Sequence, residues 1–479
     1  MNREWTLLDV ARATGADLAG VAGVAVPVSG ATLDSRRLAP GRVFVPLPGT
    51  RADGHSFVAQ ALAAGAVASF CRADRHAEVA AACAAAGVDA AGRLLVVEDP
   101  RAALVAWAGA RRAAWTGELV GLCGSNGKTT TKEMLAAILA QRAPTGRTEG
   151  NLNNELGVPV TLTRLAARER YAVVEIGMNH AGEVRALSAL ARPTAAVITN
   201  VGPEHLEGLG SLDAVARAEA EVGEALPPGA PLVVPGDDPR LAACIASFPA
   251  RRVTFALSTG ADYVATEIEL LGVAGARFKV AGFPPLSIPV PGLHSVKNAL
   301  AALACAHVSG VSPEECARGL AAMARPAGRT EVERRGGVTL LLDHYNANPA
   351  SLDAALDLLE SWPGAVHRYA ALGDMLELGP TAPDWHATAG RRLPRLDGAF
   401  LWGPLMTHAL DAARASDASA KVTHFAARRE LGRALASLLV PGDVVLIKGS
   451  RGSAMEEAAR AIEENLAKRG GHTFAGEGR

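Results

Sequence analysis

The sequence predicts an α/β protein of three domains, of which the central one is built on a mostly parallel sheet covered by helices. Its 479 residues exceed what one hydrophobic core usually organises. Short apolar runs alternate with helical patterns along the chain, which is typical of parallel strands joined by helical crossovers. A glycine-rich stretch, GLCGSNGKTT at residues 121–130, stands between one such run and a helical pattern. That arrangement favours a sheet with a ligand at the carboxyl ends of its strands.

We expect a small N-terminal α/β domain over residues 1–116, with strands at 43–47 and 94–97. A central domain over 117–324 carries the glycine-rich stretch, with helices on both faces of its sheet. A C-terminal Rossmann-like domain over 325–479 begins with the linker-like residues 326–330 and repeats the strand–helix alternation. It has no phosphate loop of its own, so it is suited to close over a nucleotide held by the central domain.

Composition excludes several classes of protein. Hydrophobic residues make up 49% and charged residues 20%, which indicates a folded globular chain. The net charge of −1, without a basic block, argues against nucleic acid as the main partner. No apolar run is long enough for a membrane span. Six cysteines without paired metal spacing predict free thiols, and we expect a cytoplasmic protein.

The glycine-rich stretch predicts a phosphate-binding loop. An apolar strand over 119–123 precedes it, and a helix over 131–139 follows it. Glycines allow backbone N–H groups to approach phosphates, a lysine reaches the terminal phosphates, and a threonine hydroxyl ligates Mg²⁺. The first glycine departs from the usual spacing, which leaves an ordinary glycine-rich turn as the alternative. The predicted ATP-binding residues here are Gly124, Ser125, Asn126, Gly127, Lys128, Thr129 and Thr130.

Polar residues also follow two further strands of the central domain. Glu175 ends the strand predicted at 171–176, where the acid that holds a nucleotide's Mg²⁺ is commonly found, and it would act with Thr129. His205 follows the strand at 195–199. Since Mg²⁺ prefers oxygen ligands, a structural role for His205 is an equal alternative. Asn298, which lies in the first turn of a helix, could recognise a purine edge or be an ordinary polar residue.

Two local patterns lie in the outer domains. Asp34, Ser35 and Arg36 form a turn that could present a hydroxyl and a guanidinium to a phosphate or a uracil, or could simply be a capped turn. Ser453 and Glu456 have the spacing of a capping box and predict the start of the last helix.

Several stretches together resemble the Mur ligase family of peptidoglycan synthesis, within it most closely the MurF type. The similarity spans nearly the whole chain, and the motifs occur in the family's order. The stretches are DSRRLAPGRVFVPLPGTRADGH, GLCGSNGKTTTKEM, GNLNNELGVP, EIGMNHAGEV, TNVGPEHLEGLGS, PGLHSVKNALAA, DHYNANPAS, LGDMLELG and GDVVLIKGSRG.

The resemblance implies a role for each matching position. Lys128 would contact the terminal phosphates, and Thr129 with Glu175 would serve one Mg²⁺. His205 would serve a second metal position, so Lys128 and His205 are the expected catalytic residues. Asn298 would bind adenine. The remaining implied contacts are Arg329 and Asp343 to the nucleotide from the C-terminal side, and Asp34, Ser35 and Arg36 to the UDP end of the substrate.

One position departs from the family's pattern. Many members carry a lysine that is carbamylated by CO₂ and bridges the metals, in a short helix beyond the histidine. Glu219 stands at that position here. A carbamate and a carboxylate present similar anionic oxygens at similar reach, so we hypothesise that Glu219 replaces the modified lysine as a metal ligand. The alternative is that Glu219 is a solvated helix residue.

The resemblance implies an ATP- and Mg²⁺-dependent ligase that adds D-alanyl-D-alanine to UDP-N-acetylmuramoyl-tripeptide through an acyl phosphate. We expect it to act as a monomer, without nucleic acid. Alternatives within the superfamily are a tripeptide-forming Mur ligase and a ligase similar to folylpolyglutamate synthase. A P-loop ATPase that is not a ligase would share only the phosphate loop.

Overall fold

Three separate sheets, each covered by helices, organise the computed structural model, and the predicted α/β class is confirmed. The structure describes residues 3–17, 25–49, 52–325 and 329–470. Of the predicted linker at 326–330, residues 326–328 lie outside these ranges, and residues 329 and 330 directly precede a strand that begins at Glu331. The sheets fall within the three predicted domains, whose boundaries stay predictions. Nowhere in the described ranges is a helix long and apolar enough to cross a bilayer.

The N-terminal unit is built on four short parallel strands in the order β3-β4-β5-β6. A separate antiparallel pair, β1 with β2, lies beside it. Its elements are β1 (Trp5–Thr6), α1 (Leu7–Thr14), β2 (Pro27–Val28), β3 (Gly30–Thr32), β4 (Arg42–Phe44), α2 (Val58–Ala63), β5 (Ala68–Arg72), α3 (His76–Ala85), β6 (Leu94–Val97) and α4 (Pro100–Ala114).

The central unit holds a fully parallel sheet in the order β13-β12-β11-β10-β7-β9-β8. A small antiparallel sheet, β14-β15-β16, packs with its helices. The elements are β7 (Glu118–Cys123), α5 (Lys128–Leu139), β8 (Thr145–Arg147), α6 (Gly157–Thr163), β9 (Tyr171–Glu175), α7 (Glu183–Ala191), β10 (Ala195–Ile198), α8 (Leu206–Leu209), α9 (Leu212–Ala220), β11 (Pro231–Pro235), α10 (Pro239–Cys244), β12 (Arg251–Ala256), β13 (Tyr263–Val264), β14 (Thr266–Leu270), β15 (Ala276–Lys279), β16 (Leu286–Ile288), α11 (Leu293–Val308) and α12 (Pro313–Ala322).

The C-terminal unit has the order β17-β18-β22-β19-β20-β21, parallel except for the edge strand β17. Its elements are β17 (Glu331–Arg335), β18 (Val338–Asp343), α13 (Pro349–Glu360), β19 (Arg368–Gly373), α14 (Ala382–Gly390), β20 (Gly398–Trp402), α15 (Met406–Ser416), β21 (Val422–Phe425), α16 (Arg428–Leu438), β22 (Val444–Lys448) and α17 (Glu456–Gly470).

The order β10-β7-β9 places the carboxyl ends of three neighbouring strands together. These strands consist of apolar residues that are nearly all buried, as expected for a sheet covered on both faces. The phosphate loop follows β7, Glu175 ends β9, and the segment leading to His205 follows β10. The sheet topology therefore brings together segments that lie far apart in the sequence.

The predicted capping box of Ser453 and Glu456 is wrong. The Ser453 hydroxyl donates to the carbonyl of Asp374 at 3.0 Å, and α17 begins only at Glu456. A tertiary contact has taken the hydroxyl that would have capped the helix.

Two buried arginines of α4 join the N-terminal unit to the central unit through hydrogen bonds. Arg112 donates to the carbonyls of Ala191 at 2.6 Å, Arg192 at 2.7 Å and Trp115 at 3.0 Å. Arg111 beside it donates to the carbonyl of Leu165. Because these carbonyls are shielded from water, the guanidinium groups satisfy acceptors that would otherwise lack a donor.

We expect Arg112→Met to lower the free energy of unfolding by about 1–3 kcal/mol, since it leaves buried carbonyls without donors. The shift of the urea unfolding midpoint measures the effect. Arg101→Met on the same helix removes a half-exposed ion pair with Glu155 and is the control, with an expected change below about 1 kcal/mol. Equal shifts for the two variants would contradict this interpretation.

Candidate active site

The phosphate loop adopts backbone conformations that require its glycines. Gly124 and Gly127 have φ values of 121° and 78°. A Cβ at Gly124 would collide with Thr199, and one at Gly127 would collide with the Asn298 amide. Positive φ and crowding together explain glycine at both positions.

Part of the loop's hydrogen-bonding capacity is already used within the protein. The N–H of Gly124 donates to Glu219, and those of Ser125 and Asn126 donate to the backbone and side chain of Asn200. The first turn of α5 begins at Lys128, where N–H groups have no earlier helical carbonyl to bond. The helix N-terminus, rather than residues 124–126, is therefore the best placed to receive a phosphate.

Lys128 lies at the centre of a group of buried charges. Its Nζ lies 2.5 Å from the Gly124 carbonyl and 3.5 Å from Glu204 Oε1. Burial alone would lower the pKa of Lys128, but the charges of Glu204, Glu219 and Glu175 together raise it. The lysine is consequently a permanent positive charge beside the loop.

Glu219 lies beneath the loop with only 1% of its surface exposed. Its Oε2 accepts the N–H of Gly124 at 2.7 Å. Burial raises the pKa of Glu219 from its usual 4.5 to about 7, with Lys128 opposing that shift and Glu204 adding to it. The alternative of a solvated helix residue is wrong for this position.

Glu175 and Thr129 lie together, as the sequence predicts. The Thr129 hydroxyl donates to Glu175 Oε2 at 3.1 Å, and the Asn153 amide donates to Oε1 at 2.9 Å. Lys132, fully buried, lies 3.5 Å from the same carboxylate. Carboxylate, hydroxyl and amide oxygens are the ligands that Mg²⁺ prefers, so this donor set fits that ion.

The other two predicted metal ligands have separate partners. His205 Nδ1 lies 2.6 Å from Glu377 Oε2 of the C-terminal unit, and Glu219 contacts the Gly124 N–H. Across the described ranges, no group of three or more His, Cys, Asp or Glu side chains is arranged to hold a metal ion. The assignment of Thr129, Glu175, His205 and Glu219 to one metal centre stays a prediction.

A cavity of about 400 Å³ lies between the central and C-terminal units. It contains the predicted residues Ser125, Asn126, Gly127, Lys128, Thr130, Glu175, His205, Asn298, Arg329 and Asp343 in its wall.

The C-terminal unit contributes a charged and an aromatic wall to this cavity. The Arg329 guanidinium lies over the Tyr345 ring at 4.4 Å. Asp343 Oδ2 lies 2.5 Å from Nζ of the buried Lys448. The Asn348 amide donates to Asn126 of the phosphate loop at 2.9 Å, which joins the two units directly.

The turn of Asp34, Ser35 and Arg36 lies elsewhere, in the N-terminal unit. Arg36 donates to both carboxylate oxygens of Asp34, at 2.9 and 3.0 Å, and this contact lowers the pKa of Asp34 to about 2. Arg36 remains largely exposed. As far as the structure describes it, the cavity wall includes none of the three residues, and their role in binding UDP stays a prediction.

Sequence reasoning missed four charged residues of this region: Lys132, Glu204, Glu377 and Lys448. Lys132 and Glu204 stand inside motifs, GKTTTKEM and PEH, where only neighbouring residues were assigned. Lys448 lies in the stretch GDVVLIKGSRG, and the structure pairs it with Asp343. No sequence signal indicates the contact between Glu377 and His205.

A helix N-terminus, a lysine and a glycine-rich loop at the carboxyl end of a parallel sheet place this chain in the class of P-loop nucleotide-binding proteins. Family models narrow that class. The "Mur ligase family, catalytic domain" matches residues 27–112, the "Mur ligase middle domain" 122–306, and the "Mur ligase, glutamate ligase domain" 328–451.

Individual relatives agree with these matches. UDP-N-acetylmuramoyl-tripeptide–D-alanyl-D-alanine ligase of Bacillus subtilis is 34% identical, over 91% of this chain and 94% of that protein. The MurF structure from Acinetobacter baumannii is similar with a TM-score of 0.82 at 33% identity, covering 96% of this chain and 99% of that one. The structure of MurF ligase from Thermotoga maritima in complex with ADP is similar with a TM-score of 0.77 at 27% identity. The match covers 92% of this chain and 99% of that one. The chain belongs to the Mur ligase family, as its motifs predict.

The raised pKa of Glu219 gives a pH-dependent stability in protein free of nucleotide and metal. The folded state keeps the proton up to about pH 7, whereas the unfolded chain releases it near 4.5. The free energy of unfolding should therefore fall as pH rises across that window, because the folded state binds more protons there. Thermal unfolding in EDTA should show that the stability of the wild type falls across this pH window. The stability of Glu219→Gln should fall less over the same window. Identical pH profiles would contradict the assigned burial effect.

Proposed function

We propose that this protein is an ATP-dependent ligase that joins D-alanyl-D-alanine to UDP-N-acetylmuramoyl-tripeptide. The observation that carries the proposal is the similarity over 91% of the chain to a Bacillus subtilis ligase with that name. The Thermotoga maritima relative in complex with ADP supports ATP as the co-substrate. We further propose a monomer that acts in the cytoplasm, where ATP is available.

The reaction needs activation because a free carboxylate would have to expel oxide. Transfer of the γ-phosphoryl group of ATP to the tripeptide carboxylate forms an acyl phosphate and releases ADP. The neutral amine of the dipeptide then attacks the carbonyl carbon. The resulting tetrahedral species expels phosphate and loses a proton from nitrogen, which leaves the amide.

Lys128 is the group of this chain best placed to stabilise the phosphoryl transfer. Its ammonium group lies in the cavity wall at the N-terminus of α5, so both the charge and the helix end attract the terminal phosphates. Contact of a phosphate with Lys128 would replace its present contacts with the Gly124 and Ser125 carbonyls. The positive charge of Lys128 is therefore placed to stabilise the negative charge of the γ-phosphoryl group during its transfer.

Mg²⁺ is the proposed cofactor, with Glu175 and Thr129 as the ligands that fit it and His205 and Glu219 as further candidates. Bound there, the ion would neutralise charge on the phosphate oxygens of the nucleotide. Asn153 and Lys132 fix the Glu175 carboxylate from two sides. These two contacts hold the Glu175 carboxylate in a fixed position before the nucleotide binds.

The outer units would hold the other ends of the substrates. Arg329 and Asp343, in the wall of the cavity, are proposed to bind the nucleotide together with Asn298. Asp34, Ser35 and Arg36 are proposed to bind the UDP end of the tripeptide substrate. Docking of the C-terminal unit would exclude water, which protects an acyl phosphate from hydrolysis.

ADP formation by the purified protein tests the proposal directly. We expect turnover with UDP-N-acetylmuramoyl-tripeptide, ATP and Mg²⁺ to require D-alanyl-D-alanine, and mass spectrometry to find the pentapeptide product. Lys128→Ala should reduce turnover by at least about 100-fold, because it removes a charge that stabilises the transition state. Lys279→Ala, an exposed lysine on β15, is the control and should retain activity. Dipeptide-independent ATP hydrolysis would show that the substrate assignment is wrong.

The proposed role of Glu219 predicts independence from CO₂. Activity in CO₂-depleted buffer should equal that in bicarbonate, since a carboxylate needs no carbamylation. Glu219→Lys should be inactive without CO₂ and regain activity when bicarbonate is added. Strong CO₂ dependence of the wild type, with a carbamylated lysine found by mass spectrometry, would contradict the role assigned to Glu219.

A further inference from the structure

Two residues with unusual backbone conformations meet where the C-terminal unit contacts the central unit. His205 and Glu377 have φ values of 50° and 65°, in the left-handed region that residues with side chains rarely adopt. His205 Nδ1 lies 2.6 Å from Glu377 Oε2. Such conformations persist where the surrounding structure imposes them, and they cluster at functional sites.

Hydrogen bonds fix the two residues that directly precede Glu377. The N–H of Met375 donates to Nε2 of the buried His386 at 3.0 Å. The N–H of Leu376 donates to the Ser450 hydroxyl at 2.9 Å. His386 Nδ1 in turn donates to the Ala382 carbonyl at 2.7 Å. The Glu377 carboxylate therefore extends from a segment of the C-terminal unit whose backbone is held in place by hydrogen bonds.

The backbone on both sides supports the same contact. The N–H of Glu207 donates to the Glu377 carbonyl at 3.2 Å. The other ring nitrogen of His205, Nε2, lies 3.9 Å from Glu204 Oε2, and Glu204 Oε1 lies 3.5 Å from Lys128 Nζ. A continuous row of contacts thus leads from the C-terminal unit to the lysine of the phosphate loop.

We propose that Glu377 is a positioning residue for His205, which orients the imidazole for the ligase reaction. By accepting a hydrogen bond from Nδ1–H, the carboxylate fixes the ring orientation and leaves Nε2 as the ring nitrogen that faces Glu204 and the cavity. A carboxylate on one ring nitrogen determines in this way what the other nitrogen can bind. Since Glu377 belongs to the C-terminal unit, His205 is oriented only while that unit is docked. The inference rests on the proposed ligase function.

Glycine is the informative substitution at position 377. Glu377→Gly removes the carboxylate and relieves the left-handed strain, so the unfolding midpoint should not fall. We expect kcat for ADP formation to drop roughly 10- to 100-fold, the usual cost of losing such a partner, with KM for the UDP substrate unchanged. Glu377→Gln keeps an acceptor oxygen and should recover part of the loss.

A matched control exists on the antiparallel sheet of the central unit. Glu267 also has a positive φ, 49°, and its carboxylate pairs with the exposed Lys279 at 2.6 Å. Glu267→Gly therefore makes the same chemical and conformational change at a site outside the cavity wall, and it should leave kcat at the wild-type value.

A binding measurement tests the contact without ligation. The affinity for Mn²⁺ in the presence of ADP, measured by electron paramagnetic resonance, should weaken roughly 10-fold or more in Glu377→Gly. In a His205→Ala background the same substitution should have no further effect, because the two residues then act as one unit.

Two results would overturn the proposal: wild-type kcat and Mn²⁺ affinity in Glu377→Gly, or an equal loss of affinity with and without His205. A wild-type protein that fails to ligate would instead refute the proposed function. The Mn²⁺ measurement would still decide the role of Glu377 in that case.

Discussion

The charge of Lys128, which lies beside buried carboxylates, is the interaction on which the site depends. Glu204 and Glu219 come from the segment after β10 and from α9, and Gly124 turns the loop so that its carbonyl also accepts from the lysine. A largely buried ammonium is costly unless it is paired, so these partners stabilise the loop in this shape. The parallel order β10-β7-β9 is what makes these segments neighbours.

The same cluster constrains what can bind. Glu175, Glu204 and Glu219 face three cationic groups, the ammonium groups of Lys128 and Lys132 and the guanidinium of Arg329, so these charges balance when all are ionised. A triphosphate would add net negative charge to this balanced set. The proposed Mg²⁺ would offset that charge, since the ion pairs with carboxylate and phosphate oxygens together.

Much of the fold follows from local patterns in the sequence. The strand predicted at 94–97 matches β6, and the other predicted strands overlap observed ones, because short apolar runs in a covered sheet give a strong signal. The strand β14 gives none, since its residues are mostly exposed on an antiparallel edge. Ser453 shows the limit of local reasoning, because a tertiary acceptor took its hydroxyl.

The candidate site likewise contains some residues that the sequence could predict and others that it could not. The loop and Glu175 were predictable because strand ends in a parallel sheet bring known residue types together. The burial of Glu219 also had a signal, since it shares a helical face with Val215, Ala218 and Val222. The Glu377 contact had none: it depends on two left-handed residues and on the packing of one unit against another.

Docking of the C-terminal unit links these charges to the order of the reaction. Asn348 bonds Asn126 of the phosphate loop, and Glu377 bonds His205 beyond β10, so both contacts exist only while the units are together. An acyl phosphate formed in an open site would meet water before it met an amine. The proposed orientation of His205 by Glu377 requires the docked C-terminal unit. His205 therefore takes its place beside Glu204 and Lys128 in the same state in which water is excluded. In the proposed reaction, a C-terminal unit that docks over the cavity and completes the charged site would restrict phosphoryl transfer to the state in which the acyl phosphate is shielded from water.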